Sequence, residues 1–510
     1  MKIMALIGVV IVSRVAMGEL VSTNEHADVA FGYSSNWNRT HDLVRQAVIG
    51  HCGLSYKRLV KDEINDDTLK GVSLYVERCD LSNLSTVAQT ALMRFKAEGG
   101  KVFPLAADGG RDVGMMLRYL ESNFPQFKEK LKRGHDFIAA VDADNREARK
   151  EFKSVMLAGG PDEIRGISCH SAYGPRGEPY GHDPKWQDWD LNCARLKNWG
   201  FNMLNVNVCH AGCAFYHSSV VPESMEVSRR GDALQKLLAA CRKHGLKFSA
   251  WRVCLRRHRE SSREFDKWIL NGRGAVDVKG RMSPSILCPN DPKNRQYEID
   301  AFVELAQKGV WGVSLDYIRY DNEDFCFCER CRKLFARRVG EMALNDWPRC
   351  AAKGGALNSE WERFRRETIT SLVRAIRDAV KGAVPTCKIG ASVATPDWKD
   401  SVAQEWETWC KEGLLDIVGP MNYYAAGYPR IEEIRKDIND EVKMSGDVFL
   451  KPTLYPVCIV WEPGCPDDLE RRSRYLIDSI REYRRLGMKA FSIFEFTNPF
   501  IDMIGMGDER

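Results

Sequence analysis

Short apolar runs recur along the chain, and their spacing sets the architecture. From residue 164 onward there are eight: IRGISC (164–169), NMLNVNV (202–208), LKFSAWRV (246–253), GVSLDYI (312–318), CKIGASV (387–393), LDIVGPMNY (415–423), VFLKPTLY (448–455) and KAFSIFEF (489–496). The segments between them are long enough for a helix. Two of these, DLNCARLKNWG and DALQKLLAACRKHG, have helical periodicity and end in Gly just before the next run, as a helix stop does. Near-continuous apolar strands fit a parallel sheet covered on both faces. Eight strand–helix units therefore predict a (β/α)8 TIM barrel over residues 160–505. An open doubly wound sheet, the alternative, would need no eighth strand.

The preceding part, residues 28–157, has a shorter rhythm. DVAFGYS, SYKRLV, GVSLYVERC and KVFPL have strand character, and HDLVRQAVIGHC and TVAQTALMRFKAEGG have helical spacing. Alternation of this kind predicts a small doubly wound α/β domain. The stretch 124–157 is dense in Lys, Arg, Asp and Glu, as in KEKLKRGHD and DADNREARKEFK. It is expected to be a solvated helix and connector, and LAGGPDE marks a boundary near residue 160.

Composition changes this picture little. A length of 510 residues allows two to four domains of about 150 residues, or fewer if one is a large barrel. The 75 basic and 70 acidic side chains leave a net charge of only +5, with no long basic run. Nucleic acid is therefore not an expected partner. Residues 1–18 differ in character: Lys2, an apolar run from Ile3 to Val12, then Ala16-Met17-Gly18. This pattern is that of a signal peptide, and it predicts an extracytoplasmic protein, secreted or periplasmic. Arg14 is an unusual intrusion before the cleavage point, and a buried N-terminal strand or a misplaced start codon are the alternatives. The run is too short to cross a bilayer and no other segment reaches that length, so no integral membrane segment is expected. The seventeen cysteines are scattered. In an exported chain disulfides are permitted, but an odd count leaves at least one thiol unpaired within a monomer. Many fit as core residues.

Barrel enzymes carry their chemistry at the carboxyl ends of the strands. Those ends hold Cys169-His170, Cys209-His210, Trp251 with Arg252, and Asp316 followed by Tyr317, Arg319 and Tyr320. Further on come Asp397, Trp398, Asp400, Glu405 and Trp406, then Asn422-Tyr423, Lys451 with Tyr455, and Glu495. Carboxylates on different strands suit glycosidic bond cleavage. One carboxylic acid protonates the leaving oxygen, and a second carboxylate attacks carbon or activates water. Trp and Tyr faces suit sugar rings. The plainer alternatives are core packing for each aromatic and an ion pair with Arg319 for Asp316. A nearby guanidinium would also keep Asp316 ionised.

Two rival functions share these residues. A carbohydrate-binding barrel without catalysis would keep the aromatics and need one carboxylate. A metal-dependent hydrolase would use His170, His210 and Asp316, but neither His lies in an H-x-H pair. No cofactor is expected for catalysis itself. Cys326, Cys328 and Cys331 are spaced C-x-C-x2-C about ten residues past the fourth strand, too far for a catalytic metal. Three readings stay open for them: a structural zinc clamp with a fourth ligand from Cys288, Cys350 or a His, a disulfide plus one further thiol, or unliganded cysteines.

Several stretches resemble the family-10-like glycoside hydrolases. These are LKNWGFNMLNVNV followed by GCAFYHSSVVP, LCPNDPKNRQY, SLDYIRYDNEDFCFCERCRKLF, and EWETWCKEGLLDIVGPMNYY. Together they span the barrel. The resemblance implies a (β/α)8 glycosidase acting on bacterial envelope glycans, including peptidoglycan strands stripped of peptides. It implicates Asp316 and Arg319, Glu405 in place of the family's usual Asp, and Asn422 with Tyr423. Asp321 stands where relatives often have Pro, so the loop after the fourth strand is expected to turn differently. On this basis Asp316 is expected to be the nucleophile or electrostatic partner, Glu405 the general acid/base, and Glu495 the reserve. His210, Trp251, Arg319, Tyr320, Trp406, Asn422 and Tyr423 are expected to hold a polysaccharide or oligosaccharide. The N-terminal pattern resembles the glutamine-amidotransferase-like domains that accompany many glycoside hydrolases. The chain has no G-x-C-x-G or G-x-S-x-G elbow, so that domain is expected to be non-catalytic.

Overall fold

The computed structural model describes residues 27–33, 48–77, 84–103, 113–174, 187–210, 212–256, 267–423, 431–450, 453–454, 468–496 and 500–501. The expected signal peptide lies outside them, as do Lys451, Tyr455 and most of HDLVRQAVIGHC. The chain forms two compact units: Met1–Lys150 with Ile459–Arg474, and Glu151–Cys458 with Tyr475–Arg510.

The first unit is built on four parallel strands, β1 (Val29–Tyr33), β2 (Tyr56–Val60), β3 (Leu74–Glu77) and β4 (Lys101–Phe103), in the order β2-β1-β3-β4. Side chains alternate across a strand, so each strand feeds two cores. Phe31, Leu74 and Val76 pack on one face with Leu117, Leu120 and Leu131, while Ala30 and Tyr75 pack on the other with Leu92 and Phe95. Helix α1 (Thr86–Ala97) supplies the second face, and Ser85 caps it by accepting from the Ala88 amide at 3.2 Å. Helices α2 (Val113–Asn123) and α3 (Lys128–Leu157) follow. The charge-rich stretch expected to be helical is the 30-residue α3.

The second unit is a closed barrel of eight parallel strands. They are β5 (Ile164–Cys169), β6 (Met203–His210), β7 (Lys247–Val253), β8 (Gly312–Asp316), β9 (Lys388–Val393), β10 (Ile417–Asn422), β11 in two short pieces (Phe449–Leu450 and Thr453–Leu454), and β12 (Ala490–Phe494). Each pairs with its neighbour in sequence, and β12 pairs with β5 to close the ring. All eight runs read from the sequence are strands of this ring.

Local signals explain the helices between them. Helix α4 (Trp189–Asn198) starts at Asp188, whose carboxylate accepts from the Asp190 amide at 2.9 Å. Helix α5 (Ala233–His244) is capped by Asp232 and stops at Gly245, whose φ of 65° few other residues tolerate. Helix α6 (Pro292–Gln307) has Asp291 as cap and Pro at its first position. Helices α7 (Glu329–Val339), α8 (Asn358–Ala383), α9 (Trp406–Lys411), α10 (Ile431–Ser445) and α11 (Asp468–Arg485) complete the outer layer.

One buried ion pair ties β7 to α6. Arg252 donates from Nε to Glu298 at 2.7 Å, and both side chains are nearly inaccessible. The other Glu298 oxygen accepts from the Leu255 amide at 3.0 Å, so the pair also fixes the loop leaving β7. Removing one partner strands a buried charge, which typically costs about 3–5 kcal/mol. Glu298→Leu is therefore expected to lower unfolding free energy by about that amount, and Arg252→Met in addition to recover much of it. Urea unfolding of the single and double variants checks this; equal losses in both would contradict it.

Candidate active site

The carboxyl ends of the barrel strands surround a cavity of about 320 Å³. Asp316, the last residue of β8, lines it and is 5% exposed. Its Oδ2 accepts from the Trp251 indole at 3.0 Å, and its Oδ1 accepts from the Tyr317 amide at 2.8 Å. Tyr317 turns the chain there with φ 53°, a conformation uncommon outside glycine and often associated with functional sites. Burial pushes the Asp316 carboxyl above its ordinary value. Arg319, the Tyr317 amide, His170 and the Trp251 indole oppose that push without cancelling it. Arg319 acts through space: its guanidinium lies between the rings of Tyr317, at 4.1 Å, and Trp398, at 4.8 Å.

The opposite wall comes from β5 and β12. His170 lies 4.6 Å from Trp251, ring to ring, and its Nδ1 is 2.7 Å from Glu495 Oε2. The same carboxylate oxygen accepts from the His170 amide at 3.2 Å. Glu495 is thus linked to Asp316 through His170 and Trp251. Tyr423 stacks on Phe494 with centroids 5.8 Å apart, and Trp398, 42% exposed, completes the aromatic rim. Deeper in, Asn205 donates to Ser168 at 3.2 Å, and Ser392 adds another polar group.

The structure brings together Asp316, Trp251, Arg319 and Tyr423 on this cavity. The other six expected residues are not on its lining; Glu495 reaches it only through His170. Glu405 sits at the start of α9, 3.9 Å from Arg366 on α8, and does not line the cavity. Trp406 is fully buried in the packing layer, its indole donating to the Ala394 carbonyl at 3.0 Å. Tyr320 points away beneath Arg365, 4.6 Å from its guanidinium. Asn422 follows the strand alternation: Met421 and Tyr423 face the cavity, while Asn422 faces Glu441 of α10. Buried there, Glu441 has a carboxyl pushed up to about 8. His210 lies beside the site rather than on its lining, 6.3 Å from the His170 ring and held by Asn207 at 2.8 Å. Trp398 and His170 were visible at strand ends but had no part in the expected sugar site. Ser168, Asn205 and Ser392 were missed, although polar residues inside apolar strands are a signal of a lined interior.

Residues 185–444 match the model of the glycosyl hydrolase-like 10 family. The chain belongs to this family. No curated protein sequence matches it. Among solved structures it is similar to the PgaB (BpsB) glycoside hydrolase domain from Bordetella bronchiseptica, with 14% identity and a TM-score of 0.48 over 68% of this chain and 96% of that one. It is also similar to the beta-galactosidase from Bacillus circulans sp. alkalophilus, at 14% identity and a TM-score of 0.47, over 69% of this chain. The match spans just over half of that galactosidase, 56% of its length. The Bacillus cereus spore cortex-lytic enzyme SleL matches at 10% identity and a TM-score of 0.37, over 68% and 74% of the two chains. The family places a glycosidase-like barrel around the cavity, and a carbohydrate is the matching class of substrate. Among the described residues, no helix is long and apolar enough to cross a membrane.

The raised Asp316 carboxyl has a consequence for stability. The unfolded chain ionises this group at about 3.9, while the folded chain holds the proton to higher pH. Its contribution is fully present below the unfolded value and is lost as pH rises through the folded one. Asp316→Asn is therefore expected to stabilise the protein at neutral pH, with the gain vanishing in acid. Thermal melts of both proteins across pH test this; a variant less stable at pH 7 would contradict it.

Proposed function

We propose that the barrel is a glycoside hydrolase that cleaves a bacterial envelope glycan or a related polysaccharide at this cavity. One observation carries the proposal: a buried carboxyl faces an aromatic-rimmed cavity, and a second carboxylate is held to His170 on the same lining. Asp316 is then the general acid, because burial raises its carboxyl in the direction a proton donor needs. This differs from the nucleophile or electrostatic role expected from sequence, and burial is the reason. Glu495 replaces Glu405 as the second carboxylate; it is not on the cavity lining itself and acts through His170, which is, and which it orients at 2.7 Å. Trp398, Tyr423 and Trp251 offer faces for the sugar rings. Family membership supports the reaction class.

The proposal extends to the whole chain. Residues 1–18 act as an export signal, which would bring the barrel to an extracytoplasmic glycan. The four-stranded parallel unit serves as a non-catalytic, amidotransferase-like domain.

A second reading, a carbohydrate-binding barrel without catalysis, draws on one fact: Asp316 is the sole carboxylate among the described residues lining the cavity. A product assay separates the two. Wild type, Asp316→Asn, Glu495→Gln and Glu405→Gln are incubated with bacterial glycans, including peptide-free peptidoglycan strands, and fragments are read by mass spectrometry. Losing an acid–base group typically costs about 10²–10⁴-fold in rate. Asp316→Asn and Glu495→Gln are expected to fall by that much, and Glu405→Gln to stay near wild type. Binding without cleavage by the wild type would favour the second reading.

A further inference from the structure

The fold gathers four cysteines that the cavity does not use. We propose that Cys288, Cys326, Cys328 and Cys331 bind one zinc ion as a closed four-thiolate centre that staples the loop after β8 in place. Cys288 precedes α6, Cys326 and Cys328 end the loop that leaves β8, and Cys331 lies in the first turn of α7. Their sulfurs all lie within 4.8 Å of one another, and all four side chains are buried. Zinc–sulfur bonds of about 2.3 Å at tetrahedral angles place neighbouring sulfurs roughly 3.8 Å apart. Cys288 Sγ is 3.6 Å from both Cys328 Sγ and Cys331 Sγ. A disulfide needs about 2.05 Å, and a sulfur equidistant from two others suits a shared centre better than a bond to either.

The surroundings match a set of thiolates. The Val276 amide points at Cys326 Sγ from 3.3 Å, and the Asn290 side-chain amide points at Cys331 Sγ from 3.3 Å. Donors of this kind orient metal ligands and stabilise their charge. Arg330, held to Asp291 at 2.7 Å, adds a positive charge beside Cys288 and Cys328. Four sulfur ligands leave no open position, so the ion is structural and not a catalyst.

Its placement gives it a task. The loop from Tyr317 to Cys328 starts at the cavity and ends at the cysteines. The hairpin strands Gly274–Val276 and Met282–Leu287 lie alongside its far end: Phe327 donates to the Val276 carbonyl at 2.7 Å, and Val278 to the Asp324 carbonyl at 3.0 Å. A metal joining Cys288 to the other three locks hairpin, loop and helix together. It thereby fixes the segment that presents Tyr317 and Arg319.

Elemental analysis of the purified full-length protein tests the assignment and does not depend on activity. One zinc per chain is expected. Alkylation of the native protein, read by mass spectrometry, should spare these four cysteines and reach them after chelator treatment. Cys288→Ser and Cys331→Ser should lose zinc, while Cys350→Ser keeps it. If the serine variants fail to fold, the alkylation pattern of the wild type decides alone. Absence of stoichiometric metal, iron in place of zinc, disulfides among the four, or zinc retained in the Cys288→Ser/Cys331→Ser double variant would each overturn the proposal.

Discussion

Closure of the barrel is the constraint on which the rest depends. Once β12 pairs with β5, eight parallel strands have no free edge, and every strand must deliver its carboxyl end to one face. Residues far apart in sequence, such as His170, Trp251, Asp316 and Glu495, then converge. The alternation of side chains in each strand decides what faces inward. That alternation puts Met421 and Tyr423 on the cavity and turns Asn422 toward α10.

The cost of convergence is burial of a carboxyl group. Asp316 loses most of its water, and four neighbours return only part of that stabilisation. A protein selected for stability alone would place an apolar residue there. A raised carboxyl is the direction an acid catalyst needs, so the unfavourable burial and the proposed chemistry have the same cause. The strained turn at Tyr317 belongs to the same compromise, since its amide is one of the groups that reach Asp316.

The fold was legible because it is written in repeated short-range signals. Apolar runs, Asp caps such as Asp232 and Asp291, and a stop at Gly245 are local, and each agrees with the closed ring. The site was legible at residues in or just after a strand's carboxyl end that face inward, as Trp251, Asp316, Arg319 and Tyr423 do. Glu405, Trp406 and Tyr320 lie on loops or a short helix, where side-chain direction depends on turns that sequence spacing does not specify. Cys288 shows the same limit: the sequence offers it only alongside Cys350 or a His as a partner for Cys326, Cys328 and Cys331, and the fold singles it out. The polar positions Ser168, Asn205 and Ser392 could have been weighed, because an apolar strand rarely carries such groups without a lined interior.

The most direct measurement is a crystal structure of Asp316→Asn soaked with a glycan oligosaccharide, since the substitution slows cleavage while keeping the shape of the site. The account predicts sugar rings in the 320 Å³ cavity, stacked on Trp398 or Tyr423, with a glycosidic oxygen facing residue 316. Sugar bound elsewhere on the barrel, with the cavity left to solvent, would contradict it.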